Sequence, residues 1–534
     1  MRSGEGELIF LAETFSIEES LLSQDRRNVL FITVDQWRGD CLSRLGHPVV
    51  RTPHLDAFAE EALQFSAHYA NAVPCGPSRA SIHTGMYLQN HRSGTNGTPL
   101  DRRFTNWALE ARARGYAPAL FGYTHTARDP RDFAADHPYM RTDEGPLPGM
   151  DHVLPMGTDC SVWRDWLVEQ GYRDLPEDAQ LTFMMRDDDP RWQAAGQPRP
   201  LAFAAEHSDT RFMVDRLLDW VADQRDLPAS MPGWMAHLSL VRPHPPWIAP
   251  APYNTLYAPD ALPVPALRAA DVASEAAQHP WLAWHLGRPR NAASADPNRH
   301  ALLQASYYGL MNEVDDNLAR LFETLKASGD WDDTLIVVTS DHGEQMGDHW
   351  MLGKAGYFDQ SYHVPLLIRD PDAAADATRG RLLDDLTEHV DLMPTLLDWI
   401  GAARPHQCNG RSLLPMVHSG AAPADWREAV HWEFDFRDPI DGSAEAAFDL
   451  PMDACNLAVR RTRRWKYVHF AALPPLLFDL DADPGELHDL AADPAALGPL
   501  SEQARGLLSW RMRHADETLA HMRISARKGL VAAS

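Results

Sequence analysis

The sequence lacks any apolar run approaching the roughly 20 residues that a membrane-spanning helix needs. Near its start, the apolar piece 8–12 is too short for the core of a secretory signal, and no convincing small-residue cleavage site follows it. The sequence therefore predicts a soluble protein with no membrane partner, and we expect it in the cytoplasm.

Cysteine is scarce, with five residues in a chain of 534. Their spacing shows neither the close pairs of a zinc site nor the framework of a disulfide-stapled fold. We expect most of them to be small core or surface side chains. The five are Cys41, Cys75, Cys160, Cys408 and Cys455.

Net positive charge is also lacking, because the formal charge is -26 at pH 7. This charge argues against nucleic acid as a partner, and a site for anionic esters would have to be made locally positive. The hydrophobic fraction of 44% is enough to build cores. Because 534 residues exceed one ordinary core, we expect a large domain and a smaller one.

Apolar runs alternate with helical segments along most of the chain. Residues 28–34 form a continuous apolar run, as expected of a strand buried on both faces of a parallel sheet. A helix is predicted from Pro53 through Leu63. The alternation predicts an α/β fold in which helices sandwich a large, mainly parallel or mixed sheet. Further strands are predicted at 117–123, 235–241, 334–340 and 365–368, and helices near 209–224, 301–327 and 388–401.

Two stretches, 173–205 and 258–300, break this pattern and are predicted to be surface excursions or lids. After about residue 425, short alternating strands and a helix over 499–522 predict a smaller α+β domain ending in a loose tail. The predicted parts are an N-terminal extension (1–27), a catalytic α/β domain (28–425) and a C-terminal α+β domain with an oligomerisation tail (426–534).

Polar side chains close two of the predicted strands. Asp35 and Gln36 follow the first strand, and Asp341 and His342 follow the strand over 334–340. Because the carboxyl ends of parallel strands meet at one edge of a sheet, we expect these residues to lie together. Carboxylate, amide and imidazole groups suit a single divalent metal ion. Either pair alone would also fit an ordinary strand-end turn.

Cys75 is predicted to lie where a loop leads into a helix, with Pro77 near the first turn and Arg79 within the helix. A nucleophile there would sit in the positive field of a helix N-terminus, which favours anionic substrates. The alternative is a buried cysteine beside an ordinary helix. Two further candidates are expected over the same sheet edge. Lys354, in a glycine-rich loop, is a candidate cation for the anionic group, with a solvated lysine as the alternative, and His244 is held between prolines.

The segment Cys75 to Arg79 has the pattern Cys-x-Pro-x-Arg, which resembles the signal by which sulfatases have a cysteine oxidised to formylglycine. Nearly the whole chain resembles the alkaline phosphatase superfamily. Within it, the chain is most similar to bacterial phosphonate monoester hydrolases and the related arylsulfatases. The matching segments are 28–37, 73–85, 121–130, 242–246, 331–354 and 467–480.

The resemblance implies one divalent metal ion, with manganese expected and calcium, iron or zinc as alternatives. It also implies conversion of Cys75 to formylglycine by a formylglycine-generating enzyme, and a homodimer or homotetramer. The implied metal ligands are Asp35, Gln36, the modified Cys75, Asp341 and His342.

The resemblance also implies roles around the metal. Arg79 matches the arginine that orients the formylglycine hydrate, and His244 and Lys354 join Cys75 as expected catalytic residues. Asn96 and Tyr123 match substrate-binding positions. The chain departs from the phosphonate hydrolases at His125, which replaces a residue expected to touch the substrate and leaves the substrate preference open. His83, in place of an aliphatic residue, is a second departure.

The implied reaction is a double displacement in which a geminal hydroxyl of the formylglycine hydrate attacks sulfur or phosphorus. One metal ion favours singly charged esters, because doubly charged phosphate monoesters gain more from two metals. We expect a sulfuric ester hydrolase of arylsulfatase type with side activity on phosphonate monoesters and phosphodiesters. One alternative is an enzyme that is mainly a phosphonate monoester hydrolase or phosphodiesterase. The other is an inactive, metal-stabilised binding protein.

Overall fold

A computed structural model describes residues 27–225, 232–265 and 267–532 of the chain. The predicted N-terminal extension, apart from residue 27, lies outside these ranges. All five cysteines are buried and free. Among the helices in the described ranges, none combines the length and apolarity needed to cross a bilayer.

The larger sheet of the described residues has nine strands. They are β1 (Asn28–Asp35), β2 (Leu63–Tyr69), β4 (Ala119–Gly122), β5 (Asp151–Pro155), β6 (Met235–Pro243), β7 (Thr334–Ser340), β8 (His363–Arg369), β9 (Leu382–Leu383) and β10 (Thr387–Glu388). Their order in the sheet is β10-β2-β8-β7-β1-β6-β4-β5, and β9 pairs with β2. The sheet is mainly parallel, with one antiparallel strand, β8, between β7 and β2.

The smaller sheet has five strands in the order β14-β13-β12-β11-β3. Its edge strand, β3 (Ala72–Val73), comes from the N-terminal part of the chain and pairs in parallel with β11 (Ala429–Asp435). The remaining strands are β12 (Asn456–Thr462), β13 (Trp465–Phe470) and β14 (Leu476–Asp479). The division predicted at residue 425 stays a prediction. Strand β3 lies far before this position in the chain, yet it belongs to the sheet whose other strands all follow it.

The α-helices of the described residues range from single turns to the 32-residue α10. They are α1 (Pro53–Ala59), α2 (Cys75–Thr84), α3 (Leu88–His91), α4 (Trp107–Ala113), α5 (Ser161–Glu169), α6 (Arg191–Ala194), α7 (Asp209–Gln224), α8 (Val272–Ala276), α9 (Pro280–Leu286), α10 (Pro297–Ser328), α11 (Asp359–Tyr362), α12 (Leu392–Trp399), α13 (Leu414–Ser419), α14 (Ser443–Phe448) and α15 (Leu497–Arg513).

Helices cover both faces of the larger sheet. Successive side chains of β1 point to opposite faces, so they enter two different cores. Leu30 and Ile32 belong to one core with Met311 of α10. Val29 and Phe31 belong to a second core, with side chains of α2 and α12. Every residue of β1 is buried, as its continuous apolar run predicted. The predicted α/β sandwich with a smaller C-terminal α+β part is what the structure contains.

Two sequence predictions about elements are wrong. The helix that begins at Pro53 ends at Ala59, and Leu63 instead begins β2, which pairs antiparallel with β8. Leu63 had matched the helical spacing, but pairing with a distant strand decides its conformation. The last helix ends at Arg513, and the predicted loose tail contains an antiparallel hairpin of β15 (Met522–Ser525) and β16 (Gly529–Ala532).

Candidate active site at the sheet edge

The carboxyl ends of β1 and β7 lie side by side in parallel register, which brings Asp35 close to Asp341. The register between β1 and β6 shifts between Val34 and Asp35. Such irregularities redirect a side chain at a strand end. Gln36 then adopts a positive φ of 70°, so the chain turns sharply there.

Arg79 of α2 joins the two strand ends and is fully buried. Its Nε donates a hydrogen bond to Asp341 Oδ2 at 2.8 Å, and its Nη2 donates to Asp35 Oδ2 at 3.1 Å. Its Nη1 donates to the Tyr123 carbonyl and to Ser239 Oγ. A buried guanidinium needs such partners to offset its lost hydration. Arg79 therefore fixes the spacing of both carboxylates.

A compact group of donor atoms lies beside this arginine. The group offers two carboxylates, one thiol and one imidazole, with ligand atoms all within 4.8 Å of one another and every residue buried. Within the described ranges, one carboxylate atom, Asp35 Oδ1, is buried without a hydrogen-bond partner. An orphaned buried oxygen beside a second carboxylate and an imidazole fits a divalent cation. The four residues are Asp35, Cys75, Asp341 and His342.

The protonation of these groups also suits metal binding. Burial would raise the pKa of Asp341, but His342, Arg79 and Lys354 outweigh it and hold that pKa below its usual value. Burial lowers the pKa of His342 to about 4, so its imidazole is neutral near pH 7. An ionised carboxylate and a neutral imidazole are the forms that bind a metal ion.

Gln36, the fifth predicted ligand, lies at the same edge but has protein partners. Its side-chain oxygen accepts a hydrogen bond from Lys354 Nζ, and its Nε2 donates to Glu344. Glu344 in turn accepts from the backbone N–H groups of Met346 and Gly353. The sequence did not reveal Glu344, which ties the Lys354 loop to the end of β1.

Cys75 is the first residue of α2 and is 3% exposed. Its Sγ lies 3.2 Å from His342 Nε2. Burial, with Asp35 nearby, raises the pKa of the Cys75 thiol well above its usual value. The encoded cysteine is therefore a neutral thiol and a poor nucleophile.

Another contact missed by the sequence holds α2 against β7. Ser78 Oγ donates a hydrogen bond to the backbone carbonyl of Asp341 and lies 3.1 Å from His389 Nδ1. The other ring nitrogen of His389 lies 3.0 Å from the carbonyl of Ser340. His389 thus positions the cysteine-bearing helix relative to the candidate metal ligands.

A cleft of about 470 Å³ opens over this group. It is lined by Cys75 and by every residue that the sequence assigned to substrate binding or leaving-group chemistry. Asn96 accepts a hydrogen bond from the Gly76 N–H at 2.9 Å, and the Tyr123 hydroxyl donates to Asp35. The assigned residues are Asn96, Tyr123, His125, His244 and Lys354.

The two predicted leaving-group residues differ in charge. Burial alone would lower the pKa of Lys354, but the carboxylates of Asp35 and Asp341 help to raise it, so Lys354 is a cation. Burial and the charge of Lys354 lower the pKa of His244. His244 Nδ1 lies 2.7 Å from the Pro245 carbonyl, which can only accept, so the neutral ring keeps Nε2 as an acceptor.

The predicted lid over 173–205 supplies one wall of the cleft. Its 3₁₀ turn Ala179–Met184 places Leu181, Phe183 and Met184 there. Asp143 and Glu144 line the cleft beside His125. None of these five side chains was identified from the sequence, because they lie in irregular segments without a periodic pattern.

Known proteins resemble this chain in sequence and in fold. Residues 27–402 match the family described as Sulfatase, and residues 347–507 match N-sulphoglucosamine sulphohydrolase, C-terminal. The chain is 42% identical to the phosphonate monoester hydrolase of Agrobacterium radiobacter, with a TM-score of 0.88 and coverage of 95% of this chain and 100% of that one.

Two curated proteins extend the comparison. The multifunctional alkaline phosphatase superfamily protein PehA of Trinickia caryophylli is 40% identical over 515 residues, covering 94% of this chain and 98% of its own. An arylsulfatase of Clostridium perfringens is 28% identical, covering 86% and 89%. The chain therefore belongs to the sulfatase family within the alkaline phosphatase superfamily, and it is an ester hydrolase.

Proposed function

We propose that this chain hydrolyses singly charged phosphorus esters, namely phosphonate monoesters and phosphodiesters, with sulfate esters as a secondary activity. Its identity of 42% over nearly the whole chain to a phosphonate monoester hydrolase carries the proposal. The sequence had favoured arylsulfatase as the main activity. An identity of only 28% to an arylsulfatase supports the phosphonate alternative instead.

The proposal includes one metal ion held by Asp35, Asp341 and His342, with Gln36 and residue 75 completing its ligands. When bound, the ion would polarise the ester oxygens and stabilise charge that develops on them. Conversion of Cys75 to formylglycine would supply a hydrated aldehyde where the encoded thiol is a poor nucleophile. Manganese is the proposed ion, with iron and zinc as alternatives, because the imidazole of His342 makes calcium, which takes oxygen ligands, the poorer fit.

The chain's own side chains orient and stabilise the reacting groups. Arg79 fixes both carboxylates, so the site is organised before substrate arrives. Lys354 is a cation that lines the cleft next to Cys75, and it stabilises negative charge on the ester or the leaving oxygen. His244 can donate a proton to the leaving group only after it has gained one beside a bound anion.

The non-catalytic alternative receives little support from the geometry. A binding protein would not need a helix N-terminal cysteine, a bridging arginine and a cation in one cleft. These residues are Cys75, Arg79 and Lys354, and all three are buried or half-buried beside the candidate metal ligands.

The proposal is tested by comparing kcat/KM for phenylphosphonate, phosphodiester and sulfate esters that share one aryl leaving group. We expect the phosphorus esters to be hydrolysed more efficiently than the sulfate. Higher efficiency on the sulfate would restore the arylsulfatase assignment. Equal inactivity of chelated and metal-replete protein on all three esters would instead support the binding-protein alternative.

The proposed homodimer or homotetramer is supported by the C-terminal hairpin. Ile524 and Leu530 on its two strands are 84% and 65% exposed. These two residues are paired across the hairpin, and adjoining exposed apolar side chains, unlike isolated ones, mark interaction surfaces. Light scattering of the full chain and of a chain ending at His514 would measure its contribution to assembly, and an unchanged mass would oppose a role for the hairpin.

A further inference from the structure

The wall of the cleft around His125 is acidic. His125 Nε2 lies 3.3 Å from Asp143 Oδ2, and its Nδ1 lies 3.9 Å from Glu144 Oε1. The His125 side chain is only 8% exposed, and Nδ1 has no hydrogen-bond partner among the described residues. Two carboxylates therefore face one imidazole in a wall of the cleft.

A carboxylate gives this wall negative charge. The hydrogen bond from His125 and the charge of its ring lower the pKa of Asp143, so that carboxylate is ionised near pH 7. The carboxylate of Glu144 lies near the other ring nitrogen of His125. Asp143 is 49% exposed, so it is open to a ligand as well as to His125.

Apolar side chains line the same cleft. Leu181 is 47% exposed and Met184 is 57% exposed, although both are large apolar residues. Phe183, in the same 3₁₀ turn, is buried, and the Arg242 guanidinium lies over its ring at 5.0 Å. A cleft that offers both an exposed apolar surface and carboxylates suits a group that is partly apolar and partly cationic.

Another part of the lining is formed by Cys75 and by Lys354, which is a cation. An anionic ester group belongs beside Cys75 and Lys354, which leaves the acidic wall for the leaving group. We propose that the cleft is built for esters whose leaving alcohol or phenol carries a cationic group, such as an ammonium, on an apolar body. This inference rests on the proposed function.

The test uses three aryl phosphonate monoesters that differ only in one ring substituent: trimethylammonium, its neutral isostere tert-butyl, or carboxylate. The measured quantity is the ratio of kcat/KM for the cationic ester to that for the tert-butyl ester. The ring substituents also change the intrinsic reactivity of the esters, but this effect is the same for every protein variant. The ratio is therefore compared among wild type, Asp143→Asn and Glu144→Gln. We expect each substitution to lower it by roughly three- to tenfold, and to raise the relative rate of the carboxylate ester.

Asp136→Asn is the matched control, because Asp136 is exposed in the same segment and does not line the cleft. Its ratio should equal that of wild type. An unchanged ratio in Asp143→Asn and Glu144→Gln would overturn the inference. Hydrolysis of the tert-butyl ester by the same proteins would still support the proposed function. A wild type inert on all three esters would overturn both.

A measurement on wild type alone guards against misfolded variants. The free trimethylammonio phenol should inhibit hydrolysis at least threefold more strongly than tert-butyl phenol, because it would bind at the acidic wall of the cleft. Equal inhibition by the two phenols would count against the inference.

Discussion

Arg79 and Asp341 form a buried ion pair with 2.8 Å between Nε and Oδ2, and the same guanidinium reaches Asp35 through Nη2. One side chain on α2 thereby sets the separation of two strand ends. The planar fork of arginine makes this possible, since a lysine offers a single nitrogen. The candidate metal site is therefore organised by a residue that is not itself a ligand.

Replacing Arg79 with lysine should lower kcat/KM by roughly 10- to 100-fold, because the carboxylates lose their fixed spacing. Metal content and activity should fall together when measured on the same sample. Arg103→Lys is the control, since Arg103 is 59% exposed. Wild-type activity in Arg79→Lys would contradict the positioning role.

Asp35→Asn should reduce the metal content well below one ion per chain, as measured by elemental analysis after dialysis, because an amide binds divalent cations more weakly than a carboxylate. Asp316→Asn serves as the control, since His54, Asp315 and Asp316 form another group of possible ligands. Loss of the metal in Asp316→Asn, together with full metal content in Asp35→Asn, would show that the metal site lies outside the cleft.

Lys354→Met should lower kcat by roughly 100- to 1000-fold on all esters, because a cation beside the reacting group is lost. His244→Asn should instead lower kcat by a larger factor as the leaving group becomes more basic, since only basic alcohols need a proton in order to leave. Rates across a series of substituted phenols separate the two patterns, with the exposed Lys326→Met as control. A His244→Asn loss that is the same for every phenol would exclude a general-acid role.

His83 should make stability depend on pH. Burial, with Arg79 nearby, lowers its pKa to about 3, against 6.5 in the unfolded chain. Between these values the unfolded chain binds more protons than the native one, so the stability contribution present above about pH 6.5 is lost as the pH falls. His83→Leu should therefore reduce the loss of unfolding free energy between about pH 7.5 and about pH 4.5.

The same variant should be less stable at neutral pH by roughly 1–2 kcal/mol, because the Trp107 indole N–H loses its partner, His83 Nδ1, at 3.0 Å. Denaturant titrations at both pH values measure both effects. His488→Leu, at a side chain 79% exposed, is the control. An unchanged pH dependence in His83→Leu would show that other groups account for it.

Mass spectrometry of the peptide that carries Cys75 should find an aldehyde in active protein, and Cys75→Ala should be inactive. Expression without a formylglycine-generating enzyme should yield a folded thiol form with little activity. Full activity from protein whose Cys75 is an unmodified thiol would rule out the formylglycine mechanism.

Elements with a continuous or strongly periodic apolar pattern could be predicted from the sequence. The strand over 334–340 and the helix over 209–224 have the predicted bounds. Leu63 was assigned wrongly because its conformation depends on β8, far along the chain. Local spacing carries no information about such a partner.

The residues of the candidate site could likewise be predicted only where a local sequence pattern placed them. Asp35 and Asp341 could be placed together because strand ends of a parallel sheet converge. His389 and Glu344 could not, because they act through hydrogen bonds that exist only after distant segments meet. Asp143 and Glu144 lacked any pattern that would link them to His125 across an irregular loop.

The strand β3 ends just before Cys75, and its edge pairs with β11 near the other end of the chain. During synthesis the ribosome would release the Cys75 segment long before β11 exists to pair with it. In the finished fold Cys75 is 3% exposed and closed to a modifying enzyme. The order of synthesis therefore leaves an interval in which the proposed conversion of Cys75 can occur, and burial of Cys75 in the finished fold ends it.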